Sequence, residues 1–463
     1  MQQHNKLSVA RWQTLKWMFR AFGLKTVYLL LIFGSLILWQ GPDPNKFHAV
    51  NARWPRSGEP VFASHFATWD AAHYLSLSEV GYHRGVPSCA FYPLWPLLVR
   101  WSAPLFGGSH VVAGMVLSNV CSLLAWLLFY QMTRARWGPR AAGWALVFLM
   151  VFPGSLFFQF NYTESLFLLL VLGLWWGLER RRYDVAWVCA GLLPLTRAVG
   201  LFAVLPIGWH ALRVASPGWW RRWVSPWRRG DAAQPSNNQR GWRMENGRSS
   251  APPPSEKSSQ QTTKRGEGTA EGESGVGLAG ASPYRAGAFG PQPSAFGLRV
   301  RPWWLLAAPL LGWGIYLALM WYWTGNPFEG FAAQKSWGVH SIGNLVNVPK
   351  FVIGFFTPTA WHEFTGSLLD RCLFLVLLWC LPVLWRLDKG LLVWTYVLGI
   401  LPAMSGTFTS YTRFASCVFP VFIALGVFLE RREWRWLRYG LLAVFLLLHI
   451  VLVWRFVNFR WAG

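Results

Sequence analysis

Negative charge is scarce in this chain: 463 residues hold 19 Asp and Glu against 43 Lys and Arg, and charged residues make up only 13% of it. The six Asp (Asp43, Asp70, Asp184, Asp231, Asp370, Asp388) nowhere form the D-x-D pair with which nucleotide-sugar transferases commonly hold a metal. No Gly-rich phosphate loop is present either, so nucleotide cosubstrates lose both of their usual signatures. The six Cys (Cys89, Cys121, Cys189, Cys372, Cys380, Cys417) show no metal or disulfide spacing and fall mostly in apolar runs, where they read as small packing residues. The alternating pattern of a membrane β-barrel is missing. So is an internal repeat, which leaves an inverted-repeat transporter little support.

What the chain has in abundance is apolar surface. It is 53% hydrophobic and 17% aromatic, with a mean hydropathy of +0.28, a balance outside soluble composition. Runs at 26–40, 110–132, 141–160, 302–323, 367–385 and 439–454 are long enough, or nearly so, to cross about 30 Å of hydrocarbon as helices. The first follows Lys6, Arg11, Lys16, Arg20 and Lys25 and precedes no small-residue cleavage site, the pattern of a retained signal-anchor. Most basic residues fall in segments of one topological parity: the N-terminus, 134–140, 179–182, 213–301, 385–389 and 431–438. This positive-inside placement explains the net charge of +24 without nucleic acid and makes those segments cytoplasmic.

The resulting expectation is an all-α polytopic integral membrane protein with about nine full transmembrane helices and two half-length ones. Residues 1–212 form an N-terminal membrane block whose first outer loop spans 41–109. Residues 213–300, rich in Ser, Gly, Pro, Gln and Glu, read as a disordered basic cytoplasmic linker. Residues 301–463 form a C-terminal block with an outer loop at 324–366 and the C-terminus outside. The stretch 184–212 starts and ends on the inner side yet is too short for two crossings at about 1.5 Å per residue. Two half-length helices meeting at Arg197, beside Pro194, satisfy both constraints.

Polar residues gather in the outer loops. In WDAAHYLSLSEVGY, Asp70, His73 and Tyr74 share one face of a short interfacial helix. Asp70 either caps and solvates that helix or presents a carboxylate at headgroup depth. Glu164 in NYTES either caps the helix that begins there or meets a sugar hydroxyl. Arg197 either grips an anion or makes a packing salt bridge with Glu164, Lys335 either binds an anion or snorkels, and His73 and His340 are acceptor contacts or ordinary interfacial histidines.

These segments carry a resemblance. WDAAHYLSLSEVGY, FYPLWPLL, SNVCSLLAWLLFY, FPGSLFFQFNYTESLF, LPLTRAVGL, GNPFEGFAAQKSWG, TSYTRFASCVFPVFIALG and RFVNFRWAG follow one another in this order, with only the 213–300 stretch left out. In that order the chain resembles the PIG-V-type mannosyltransferases and their bacterial relatives. The resemblance implies a GT-C architecture with an outer loop of short interfacial helices and a polyprenyl-phosphate sugar as donor. The eukaryotic members use dolichyl-phosphate mannose to add the second mannose of the GPI anchor. The acidic residue of the family's WD motif falls on Asp70, which is implied to be catalytic.

The chemistry that follows is inverting transfer of a hexose, mannose by the resemblance, to a lipid or glycan acceptor on the outer membrane face, with no cofactor and no metal. A lipid phosphate leaves as a stable anion, so one carboxylate suffices where a glycosidase needs two. Arg413, then Arg197 and Lys335, are the cations expected at the phosphate. His73, Tyr74, Tyr162, Glu164, Gln334, His340 and Tyr411 are the expected substrate contacts. The expected partners are the donor, the acceptor and membrane lipids, with no nucleic acid. The competing readings are a lipid-linked sugar transporter or flippase, which would spread charges along midplane helices, and a GT-C transferase for another sugar.

Overall fold

The structure is a computed structural model. It describes residues 44–51, 53–215, 302–337, 347–404 and 408–463, together with scattered positions between 16 and 32. All of them belong to one compact unit, Met1–Pro217 with Arg301–Gly463. The 213–300 stretch lies outside the described residues almost entirely, as do His340 and most of the first apolar run.

Among the described residues there is no β-strand, only an isolated bridge between Ala360 and Ser367. The helices run in order: α1 (Pro44–Val50), α2 (Asp70–Val80), α3 (Leu94–Ser102), α4 (His110–Trp137), α5 (Pro139–Val151), α6 (Glu164–Arg180), α7 (Tyr183–Thr196), α8 (Val204–Ala215), α9 (Ala307–Thr324), α10 (Glu329–Lys335), α11 (Val348–Phe356), α12 (Leu368–Leu387), α13 (Lys389–Met404, with a π turn at Tyr396–Ile400), α14 (Tyr411–Ala415), α15 (Phe419–Leu429) and α16 (Arg435–Val457). Among the described residues, five helical stretches are long and apolar enough to cross a membrane: His110–Trp137, Ala198–Ala215, Pro302–Thr324, Leu368–Leu387 and Arg432–Val457. This is a membrane protein. Its long helices keep apolar side chains such as Leu310, Trp321, Leu447 and Ile450 on the outside, as a helix packed on one face and bathed in lipid on the other requires.

Several segments depart from uninterrupted spans, each for a local reason. The run 141–160 is not one helix: α5 stops at Val151, and Pro153 opens a 3-10 turn over Pro153–Phe158. The residue before a proline is driven out of the helical region, and Phe152 sits at φ −57°, ψ 138°. The 184–212 stretch does break at Arg197, whose backbone is extended at φ −158°, ψ 148°, between α7 and a 3-10 turn at Ala198–Ala203 that leads into α8. Together that turn and α8 make the apolar stretch Ala198–Ala215 noted above.

NYTES is not a solvent-facing turn: Asn161, Tyr162, Thr163 and Glu164 are all buried. Lys25, assigned by charge placement to a water-facing segment, is also buried, donating to Asn119 Oδ1 (2.8 Å) and Gln159 Oε1 (2.7 Å).

Two approaches fix the elements around Asp70. The last turn of α16 and the residues just after it meet the segment before α2: His65 Nδ1 lies 2.6 Å from Val457 O, Thr68 Oγ1 donates to Phe456 O (3.4 Å) and Trp69 Nε1 to Arg460 O (3.3 Å). Trp69 and Trp461 meet edge to face at 4.9 Å. On the other side, Gly154 lies against the backbone carbonyl of Thr412 with no space for a Cβ, so the Pro153–Phe158 turn and α14 meet backbone to backbone.

Candidate active site

Asp70 is the first residue of α2, and the residue before it, Trp69, is held at φ 58°, ψ −126°. A positive φ is strained for a tryptophan and persists only where the surroundings over-determine it. Here they do, since the indole is fixed by Arg460 O and Trp461. The bend turns the start of α2, and with it the Asp70 carboxylate, toward α14.

There Arg413 Nη1 donates to Asp70 Oδ2. The same guanidinium brings Nε to 2.9 Å from Glu164 Oε1, a charge contact whose angle falls short of a hydrogen bond. Arg197 Nη1, from the break after α7, donates to Glu164 Oε1 at 2.5 Å. Four residues from four separate segments thus form one alternating chain of charge, Asp70–Arg413–Glu164–Arg197. The aromatic rings of Tyr162 and Phe414 lie 5.4 and 5.3 Å from the Arg413 guanidinium, and Phe414 lies 4.5 Å from that of Arg197. Charges so enclosed are tolerated only in pairs, because an unpartnered ion in such surroundings costs several kcal/mol.

Exposure separates the two carboxylates. The Asp70 side chain is 16% exposed, whereas that of Glu164 is 1% exposed. Asp70 is therefore partly open to its surroundings, and Glu164 is enclosed between two guanidiniums. Of the two readings of Arg197, the structure contains the salt bridge with Glu164.

The remaining expected contacts divide. Tyr74 and Tyr162 adjoin the charged chain: Tyr74 Oη is 3.5 Å from Thr163 Oγ1, and Tyr162 donates to Thr68 O at 2.9 Å. His73 shares a hydrogen bond of 2.7 Å with Ser88 and stacks on Phe91 at 5.0 Å. Burial pushes its imidazole down to about 4, with Asp70 pulling the other way and Arg53 adding to the fall, so at neutral pH it carries no charge toward a phosphate. Gln334 instead reaches Ala90 O (3.4 Å), fastening α10 to the Pro87–Ala90 turn. Lys335 is exposed on α10. Tyr411 packs its ring in the core against Phe374 (5.6 Å) and Phe408 (5.9 Å).

Sequence reasoning passed over Asp370, Thr412 and Gly154. Asp370 was legible as an ionisable residue at the mouth of an apolar run, a pattern that marks function by default. Among the described residues no three or more His, Cys, Asp or Glu gather as metal ligands would.

Comparisons with known proteins give the following likenesses. Residues 50–216, which hold Asp70, Tyr74, Tyr162, Glu164 and Arg197, match the profile of the family described as Mannosyltransferase (PIG-V). The resemblance read from the sequence therefore holds over that segment, and Arg413 joins it from beyond. Solved structures similar to the chain include ArnT from Cupriavidus metallidurans bound to undecaprenyl phosphate, at 14% identity and a TM-score of 0.43, covering 90% of this chain and 62% of that one. Another is the oligosaccharyltransferase of Archaeoglobus fulgidus tethered to an acceptor peptide, at 14% identity and a TM-score of 0.37, covering 87% of this chain and 51% of that one. The chain thus spans less than two thirds of the length of either. No curated protein matches it significantly in sequence.

Proposed function

We propose that this chain, whose residues 50–216 match the PIG-V mannosyltransferase family, is an inverting glycosyltransferase of GT-C architecture. It moves a hexose, mannose by the family match, from a polyprenyl-phosphate carrier to a lipid or glycan acceptor at the outer face of the membrane. The two membrane blocks together form the catalytic unit, and 213–300 is a cytoplasmic linker between them. The observation that carries the reading is the direct contact between a partly exposed carboxylate, Asp70, and a buried guanidinium, Arg413.

Without substrate, Arg413 is engaged by Asp70 on one side and Glu164 on the other. A lipid phosphate offers the guanidinium a better match, since two of its N–H groups can face two phosphate oxygens. Arg413 then exchanges Asp70 for phosphate and stays tethered to Glu164, which Arg197 holds from the far side. A carboxylate that loses its cation becomes a stronger proton acceptor. Asp70 takes the proton of the acceptor hydroxyl as that oxygen attacks the anomeric carbon. The bond from that carbon to the phosphate oxygen breaks on the opposite face, and the phosphate leaves as an anion held by Arg413. The glycosidic bond formed has inverted configuration. Asp70 later releases its proton to water, which its exposure permits.

The test is transfer by the purified chain in liposomes from a polyprenyl-phosphate mannose labelled at the anomeric carbon, with and without EDTA. Expected is a product of opposite anomeric configuration, formed at the same rate in chelator. A retained configuration contradicts the single-displacement mechanism, and loss of activity in EDTA contradicts its metal independence.

A further inference from the structure

The charged chain explains what holds the Arg413 guanidinium, but not what holds its backbone. Arg413 sits in α14, five residues long, far below the length at which a helix is stable by itself. The chain entering it is contorted, with Phe408 at φ 60° and Ser410 at φ 59°. Something outside α14 must fix it.

Asp370 does so. It is the third residue of α12, fully buried, and its Oδ1 accepts both the backbone N–H of Thr412 (2.7 Å) and the Thr412 hydroxyl. Thr412, also fully buried, directly precedes Arg413, and its carbonyl is the one pressed against Gly154. The backbone at 412 is thus clamped from both sides, by a carboxylate and by a glycine contact. Asp370 itself is set by Ser367, whose hydroxyl caps α12 by accepting the Asp370 N–H at 3.2 Å. Its neighbour Arg371 donates through Nε to the carbonyls of Gly354 and Phe355, both at 3.0 Å, tying the end of α11 to the same point.

Stability alone does not account for this carboxylate. Its second oxygen, Oδ2, is buried without a hydrogen-bond partner among the described residues. A carboxylate so placed is a net burden on the fold compared with an apolar side chain. What it supplies is position.

We infer that Asp370 is a positioning residue for donor binding, acting through Thr412 to set the Arg413 guanidinium where a lipid phosphate can take it from Asp70. This rests on the reading of Arg413 as the phosphate-binding group. Asp370 touches neither substrate. A backbone allowed to drift by about 1 Å at Thr412 would misplace the guanidinium enough to weaken its function by up to about 100-fold.

The test measures binding of polyprenyl phosphate to the full-length chain in detergent by native mass spectrometry, alongside donor and acceptor KM for sugar transfer. Asp370→Ala should weaken polyprenyl phosphate binding at least about 10-fold and raise donor KM in parallel, with acceptor KM unchanged. Asp370→Asn keeps an oxygen to accept from Thr412 and should bind within about 3-fold of wild type. Should Asp370→Ala fail to fold, Thr412→Val and Thr412→Ser ask the same question, the first expected to weaken binding by about 3- to 10-fold and the second to match wild type. Wild-type binding by Asp370→Ala or Thr412→Val overturns the inference. So does an Asp370→Asn variant as impaired as Asp370→Ala, or a parallel rise in both KM values. If the wild-type chain binds polyprenyl phosphate yet transfers no sugar, the glycosyltransferase reading fails, while the binding comparison still decides the role of Asp370.

Discussion

Asp70→Asn should reduce sugar transfer by about 1,000-fold or more while leaving the lipid donor bound as tightly as in wild type, or more tightly. Removing a general base and its share of orientation accounts for losses of this order. Affinity is the less obvious half of the prediction. In the unliganded protein Asp70 accepts from Arg413 Nη1, so the carboxylate competes with an incoming phosphate for the same N–H. A neutral amide is a weaker acceptor from a guanidinium than a carboxylate is. The substitution therefore removes a competitor as well as a negative charge next to the phosphate site. Donor dissociation constants and single-turnover rates measured on one preparation separate the two effects. If affinity falls in step with rate, Asp70 serves to hold the site together and is not its base. A transporter would give a third pattern, donor lipid bound and moved at the wild-type rate.

Arg413→Gln should lose donor binding and transfer together, and also destabilise the fold. The guanidinium contacts both Asp70 and Glu164, and Glu164 is almost fully enclosed. Arg197 still pairs with Glu164 and Asp70 is partly exposed, so the cost should fall below the roughly 3–5 kcal/mol typical of a buried ion that loses its one partner. Arg413→Lys restores the charge but not the fork. An ammonium cannot face two carboxylates, or a carboxylate and a phosphate, with fixed N–H groups. Expected is recovery of most of the lost thermal stability in detergent with transfer remaining below about one tenth of wild type. Recovery of both by lysine would reduce the role of Arg413 to a point charge. Recovery of neither would make it a packing residue.

That Asp70 and Arg413 share one side was readable in advance, because both stood in polar breaks between apolar runs, but their direct ion pair was not, since Arg413 was set against the donor phosphate. The break at Arg197 was readable from arithmetic: too few residues between two inner segments, with a proline nearby. Harder to read was the part played by Glu164. The residues NYTES look like a tight turn in water, and only the approach of α14 and of the break after α7 turns Glu164 into an anchor between two arginines. Gln334 and Tyr411 meet neighbours that local sequence did not announce, for a related reason. A polar side chain in a loop is equally able to meet a substrate or a neighbouring backbone carbonyl, and nothing in local sequence tells which surface will arrive. The truncation of α5 was visible in Pro153, but a hydropathy window averages across a proline. Asp370 stood in plain view beside Arg371 at the start of a long apolar helix, yet its partner Thr412 lies 42 positions away, and only the fold brings the two together.

The most direct test of the account is a structure of the chain holding a non-hydrolysable polyprenyl-phosphate hexose. The account predicts phosphate oxygens within about 3 Å of the Arg413 guanidinium, the contact between Arg413 and Glu164 retained, the bond to Asp70 released, and the Asp70 carboxylate facing the anomeric carbon from the side opposite the phosphate. A lipid seated elsewhere, with Asp70 and Arg413 still joined, would contradict it.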